Sequence, residues 1–222
     1  IFSGGQAECL PDGGPGNDTI ACAKANVAGF ASCISDGGAG NDVLSCVLEV
    51  MTETGSALCD QSGGPGIDTL ACETSDIDGQ HICFGDGGAG NDTVNSIVKG
   101  DNRPDSECTL LGGPGDDVLN IELGTAATPI TVRTGPVLFY ADAGVGNDHF
   151  ITTANLTDDS DVTISNVTVL LGRGDDTATL EFLSLGGGEI EEAVYDGGNG
   201  VDTYEGTLPA DFLPLVDFEI GV

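Results

Sequence analysis

The chain writes one nine-residue phrase eight times, and that repetition constrains its folding more than any other property. The phrase Asp12-Gly13-Gly14-Pro15-Gly16-Asn17-Asp18-Thr19-Ile20 returns as Asp36 to Leu44, Ser62 to Leu70, Asp86 to Val94 and Leu111 to Leu119. Looser copies run from Asp142 to Phe150, Leu170 to Ala178 and Asp196 to Tyr204. A unit this short cannot bury a core alone. It must stack on copies of itself, so the repeat predicts a solenoid in which each copy is one equivalent bend.

The letters of the phrase predict a turn followed by a strand. Its glycines permit positive φ and let backbone carbonyls crowd toward one point. The seventh residue is always Asp: Asp18, Asp42, Asp68, Asp92, Asp117, Asp148, Asp176 and Asp202. Two residues later stands Ile20, Leu44, Leu70, Val94, Leu119, Phe150, Ala178 or Tyr204. That two-residue step suits a strand whose alternate side chains face inward. A carboxylate among carbonyl oxygens in a flexible turn is the donor set Ca²⁺ prefers, whereas Mg²⁺ demands a tighter octahedron and keeps its waters.

GGxGxD followed by x and an apolar residue resembles the nonapeptide of the RTX (repeats-in-toxin) calcium-binding family. The resemblance implies an all-β parallel β-roll (a β-solenoid), with Ca²⁺ held between neighbouring turns and a chain that folds outside the cell once calcium is present. The sequence departs from that family in its spacing. Family repeats follow at nine residues, but the key aspartates here are separated by 24, 26, 24, 25, 31, 28 and 26. Each coil should therefore carry one calcium turn, and the ions should form a single row of up to about seven, each weakly held at roughly 10⁻⁴ to 10⁻³ M. Asp12, Asp36, Asp86, Asp142 and Asp196, at the start of their phrases, are additional candidate ligands.

Cysteine is the second departure, and it follows the repeat. Cys9, Cys33, Cys59, Cys83 and Cys108 each stand three residues before a phrase; Cys22, Cys46 and Cys72 each stand ten after its first residue. Ser96 and Ile121 occupy the later place in the fourth and fifth copies. The pairing that leaves no thiol over is Cys9–Cys22, Cys33–Cys46, Cys59–Cys72 and Cys83–Cys108. The shifted pairing (Cys22–Cys33, Cys46–Cys59, Cys72–Cys83) strands Cys9 and Cys108. No C-x-x-C occurs, which argues against zinc or a redox motif. Disulfides imply an oxidising compartment.

Thirty-seven acidic residues against five basic ones give a formal charge of −32. No basic patch for nucleic acid can be assembled from five cations. Seven Ca²⁺ would lower the charge to about −18, so the calcium-free chain should repel itself strongly. A halophilic origin is a second account of the acid excess. No apolar run reaches the length of a membrane span. The chain begins at Ile1 without a basic leader, which reads as a mature product or as a fragment.

Catalytic signatures are missing. Of the acidic pairs Asp116/Asp117, Asp158/Asp159 and Asp175/Asp176, two lie inside the turns, where ligation explains them better than glycoside hydrolysis. His149 should point outward, and His81, just ahead of a strand, reads as a surface residue. Lys24, Lys99, Arg103, Arg133 and Arg173 recur at no fixed coil position. The threonines form no ice-binding array. The expectation is not an enzyme and no catalytic residue.

Two sections differ in texture. Residues 1–120 hold five regular coils and all the cysteines; residues 121–222 hold three looser ones, closing on a last strand near the C-terminus. Ile1-Phe2 and Phe218 to Val222 are apolar, and the sequence shows no capping helix beside them. A solenoid end is an open strand edge that templates further pairing. The reading is a secreted, cell-surface structural subunit that polymerises head to tail with itself, with a surface or matrix polysaccharide as a further candidate partner. The alternative is a repeat module of a larger secreted adhesin, enzyme or toxin.

Overall fold

The structure is a computed structural model, describing residues 7–27, 29–50, 55–75, 80–99, 106–124, 131, 133–157, 161–185, 189–190, 192–207 and 215–216. It is an all-β parallel roll, and no helix occurs among the described residues. The strands are β1 (Ala7–Cys9), β2 (Thr19–Val27), β3 (Phe30–Asp36), β4 (Val43–Val50), β5 (Ser56–Pro65), β6 (Thr69–Ser75), β7 (His81–Ala89), β8 (Thr93–Lys99), β9 (Ser106–Pro114), β10 (Val118–Leu123), β11 (Arg133–Val145), β12 (His149–Leu156), β13 (Asp161–Leu170), β14 (Thr177–Leu185), β15 (Glu189–Ile190), β16 (Ala193–Asp196), β17 (Thr203–Thr207) and β18 (Leu215–Val216).

Two sheets face each other. The first runs β1-β3-β5-β7-β9-β11-β13-β16-β18, with β15 also on β13; the second runs β2-β4-β6-β8-β10-β12-β14-β17. Every pairing is parallel. Each phrase carries the chain from the first sheet to the second. The bends that return it lie largely outside the described residues, as do Ile1-Phe2 and Phe218 to Val222.

The phrase stacks in register. Ile20, Leu44, Leu70, Val94, Leu119, Phe150, Ala178 and Tyr204 are successive Cα partners along the second sheet. Seven of them are buried and Tyr204 packs against that core. Strict alternation of inward and outward side chains, as in β5 and β12, is what a thin two-sheet interior requires. Glycine is demanded by the stacking itself. Gly38 and Gly40 have φ of 93° and 141°, and a Cβ on either would run into the carbonyl of Gly14 or Gly16 on the coil before.

All eight cysteines point into one interior column. Cys9, Cys33, Cys59, Cys83 and Cys108 are Cα partners in the first sheet. Cys22, Cys46 and Cys72 are partners in the second, continued by Ser96 and Ile121. Beyond Cys108 the first-sheet place passes to Phe139, and the interior becomes aromatic: Phe150 and Tyr195 meet with ring centroids 6.2 Å apart. His81 is not a surface residue, contrary to the sequence reading. It is 2 % exposed, on the inner face of β7 two residues from Cys83, because the strand begins one step earlier than its apolar run.

Candidate metal centre

The seventh-place aspartates form a second interior column, beside the turns. From Asp42 to Asp202 they are fully buried, and Asp18, on the first turn, is half-buried. Each carboxylate does two different things with its two oxygens. Oδ1 of Asp42 accepts from the backbone N–H of Asp18 at 2.7 Å, and Oδ1 of Asp68 accepts from Asp42 N–H at 2.7 Å. The pattern continues through Asp92, Asp117, Asp148, Asp176 and Asp202. Each aspartate from Asp42 onward thus fastens its coil to the one before. Oδ2 is buried without a hydrogen-bond partner in all eight.

An unpartnered buried carboxylate oxygen is costly, and a stack of them more so. Burial, above all, pushes the carboxyls of Asp68 and Asp92 above the ordinary range, with neighbouring carboxylates adding to it against the pull of the backbone hydrogen bond. The same causes raise Asp117 and Asp176 to about 6 and Asp148 to about 7. The Oδ2 atoms of these five therefore call for a proton or a cation.

The second-letter glycines pack directly against Oδ2. A Cβ built on Gly37 would stand 2.7 Å from Asp42 Oδ2 and 2.8 Å from the carbonyl oxygen of Gly63 on the next coil. At Gly63 the same point lies 2.7 Å from Asp68 Oδ2 and 2.5 Å from the Gly87 carbonyl. Gly13, Gly87 and Gly112 border the same kind of cradle, each with its own aspartate and a carbonyl of the following coil. A side chain at any of these glycines would collide with both oxygens, so each turn brings a bare carboxylate oxygen and a carbonyl oxygen of the next coil, both hard donors, against the same glycine. The residues fit a row of hard cations.

The fit is not uniform. In the sixth and seventh phrases Ala143 and Leu171 stand where the others have this glycine, and both are fully buried. Five of the described turns keep this glycine beside the carboxylate and a carbonyl of the following coil. The substitutions were visible in the sequence, but only the structure shows that the second letter of the phrase borders the carboxylate.

The candidate ligands at the start of the phrases behave differently. None is buried. Asp36 Oδ1 and Asp196 Oδ1 accept from Gly38 N–H and Gly198 N–H of their own turns, and Asp142 Oδ2 accepts from the Tyr140 hydroxyl at 3.3 Å. Asp12 is exposed and Asp86 half-buried.

A third ladder escaped the sequence reading. The sixth residue of six phrases is Asn or Asp, and each one's Oδ1 accepts a backbone N–H of the following coil. The donors are Asn41 to Asn17, Ile67 to Asn41, Asp116 to Asn91, Asn147 to Asp116, Asp175 to Asn147 and Val201 to Asp175, at 2.8 to 3.1 Å. It runs on the exposed side and opposite in direction to the inner ladder. Asp116/Asp117 and Asp175/Asp176 are therefore not catalytic pairs in geometry: one member of each faces out and fastens the next coil, while the other faces in and fastens the previous one.

No family model, curated protein or solved structure matches this chain.

Proposed function

We propose that the chain is an extracellular, calcium-stiffened structural solenoid of the RTX type, serving as a self-assembling subunit of a filament, matrix or surface layer. The observation that carries the reading is the row of eight buried, unpartnered Oδ2 atoms, five of them beside a glycine faced by a carbonyl of the next coil. Irregular oxygen sites of this kind suit Ca²⁺ better than Mg²⁺. Each ion would bridge two coils and neutralise carboxylates that otherwise oppose stacking. Calcium would then set the stiffness of the roll, and millimolar extracellular calcium matches sites of this weakness.

The eight interior cysteines are free thiols in the structure, and in an oxidising compartment they would be close enough to be drawn into pairs. Within a coil, Cys9 faces Cys22 and Cys59 faces Cys72, with Sγ atoms inside 4.8 Å of one another. Oxidation as Cys9–Cys22, Cys33–Cys46, Cys59–Cys72 and Cys83–Cys108 would tie each of the first coils to itself, and two to each other.

Strands β1 and β2 lie at one end of the two sheets, and β17 and β18 at the other. Open parallel edges accept further strands, from a second copy or from further coils. Light scattering and negative-stain microscopy of the purified 222-residue chain, across a calcium titration at fixed ionic strength, decide between these. Filaments that grow at millimolar calcium and disperse in chelator are expected. A chain that folds with calcium yet stays monomeric would replace the subunit reading with a repeat module of a larger secreted protein.

A further inference from the structure

Six of the eight cysteines gather in threes. Cys9, Cys22 and Cys33 have their Sγ atoms within 4.8 Å of one another, and so do Cys46, Cys59 and Cys72. All are free thiols. Within each triad successive members stand 11 or 13 residues apart in the chain, so no short motif announces them. Cys9, Cys33 and Cys59 come from the first sheet, and Cys22, Cys46 and Cys72 from the second. The first triad includes the half-buried Cys9 at one end of the roll; the second is wholly buried.

Three mutually close sulfurs are the arrangement a soft cation uses. A disulfide joins two sulfurs at about 2.05 Å and leaves the third out. A cation about 2.3 Å from each of three sulfurs holds those sulfurs about 4.0 Å apart, a separation that the 4.8 Å limit of both triads accommodates. Thiolate sulfur selects soft metals such as Cu(I), whereas Ca²⁺ takes oxygen, so the sulfur and aspartate columns do not compete for one ion.

The number of ligands narrows the choice. Structural Zn²⁺ is almost always held by four. Among the described residues no fourth His, Cys, Asp or Glu joins either triad within 4.8 Å of all three sulfurs. Three sulfurs alone suit a soft monovalent ion, which also carries less charge into an apolar interior. Beside the second triad, His81 stands on the inner face of β7 two residues from Cys83, the Cα partner of Cys59. Its Nε2 is buried with no hydrogen-bond partner, and imidazole nitrogen is itself a copper ligand.

We propose that the two triads are binding sites for Cu(I), one ion to each, taken up by the reduced chain. The inference does not rest on the aspartate ladder. Each ion displaces thiol protons to solvent: S–H bonds break as copper–sulfur bonds form, and no electrons change hands. The first ion joins Cys9 and Cys22 of the first coil to Cys33 of the second. The second ion joins Cys46 of the second coil to Cys59 and Cys72 of the third. Together they pin the first three coils to one another.

The test uses the full chain, reduced with a phosphine and freed of it under nitrogen. It is refolded with Cu(I) supplied as the acetonitrile complex, because the second triad is wholly buried. Loosely held copper is stripped with bathocuproine disulfonate, and metal per chain is counted by elemental analysis. Two ions per chain are expected, with X-ray absorption showing three sulfur neighbours for each. Cys22→Ser and Cys59→Ser should each keep one ion, whereas Cys83→Ser and Cys108→Ser should keep two. Serine already fills an equivalent interior place at Ser96, the Cα partner of Cys72, so the roll should survive, which circular dichroism checks. No copper retained against the chelator, or two ions still held by both Cys22→Ser and Cys59→Ser, overturns the proposal. So does one multi-copper cluster in the parent chain, or Zn²⁺ retained in preference to Cu(I). Calcium counted in the same samples reads the aspartate ladder separately.

Discussion

Replacing Gly63 by Ala fills one cradle with a single methyl group and tests the ion site with little else disturbed. Gly63 is not among the positive-φ glycines, so its backbone accepts an L residue. At such a place Gly→Ala ordinarily stabilises by about 0.4–1 kcal/mol through the unfolded chain. Here the new Cβ would sit 2.7 Å from Asp68 Oδ2 and 2.5 Å from the Gly87 carbonyl, so both oxygens must give way. The chain already tolerates side chains at this place in Ala143 and Leu171, so the roll should survive. The cost should fall on the ion. A site of Kd about 10⁻⁴ to 10⁻³ M contributes about 1.4–2.7 kcal/mol at 10 mM calcium, from the mass-action relation. Urea denaturation with and without 10 mM calcium, alongside calorimetric stoichiometry, reads this directly. The variant should lose one ion and an increment of that size, with a smaller change in chelator. An unchanged ion count and an unchanged calcium increment would refute the assignment of the cradle.

Three further outcomes follow from the ladders. Asp92→Asn should change sign with conditions: it removes a bare buried charge and so stabilises the calcium-free roll, yet it weakens the calcium-loaded one by about 1 kcal/mol or more, as paired melts will show. In chelator, stability should fall as pH rises from about 4 to about 7. The folded carboxyls of Asp117, Asp148 and Asp176 lie at about 6, 7 and 6, above the unfolded value, so the folded state holds more protons across that window; circular dichroism melts that are flat or rising over it would contradict the buried column. Asn147→Ala removes the acceptor for the Asp175 N–H on the exposed side, and should cost about 0.5–1 kcal/mol equally with and without calcium.

Much of this architecture was legible in the phrase. Eight copies of one turn, each ending in Asp-x-apolar, dictated a stacked parallel roll, and the interior column from Ile20 to Tyr204 stands as the two-residue step required. The fixed offsets of the cysteines placed them in one column, although not the fact that Cys9, Cys22 and Cys33, and likewise Cys46, Cys59 and Cys72, bring three Sγ atoms within 4.8 Å of one another. That depends on how closely the two sheets approach, which spacing along a chain does not encode. His81 was misplaced because a polar residue ahead of an apolar run looks like a loop, whereas the inward face of β7 extends to include it. The surroundings of the aspartates are less uniform than their spacing suggested, for a related reason. Sequence showed the aspartates as equivalent, but the cradle is bounded by the first glycine of each phrase, and Ala143 and Leu171 fill it in two coils. The outer Asn and Asp ladder was written in the sixth letter, but its partners lie 24 to 31 residues away on the next coil.

The most direct test of the cation ladder is anomalous diffraction from crystals grown in calcium. The account predicts one row of peaks, each between a seventh-place Asp Oδ2 and a carbonyl of the following coil, present beside Gly13, Gly37, Gly63, Gly87 and Gly112 and missing beside Ala143 and Leu171. A roll with no peaks along the aspartates, or with a second row on the opposite side, would contradict it.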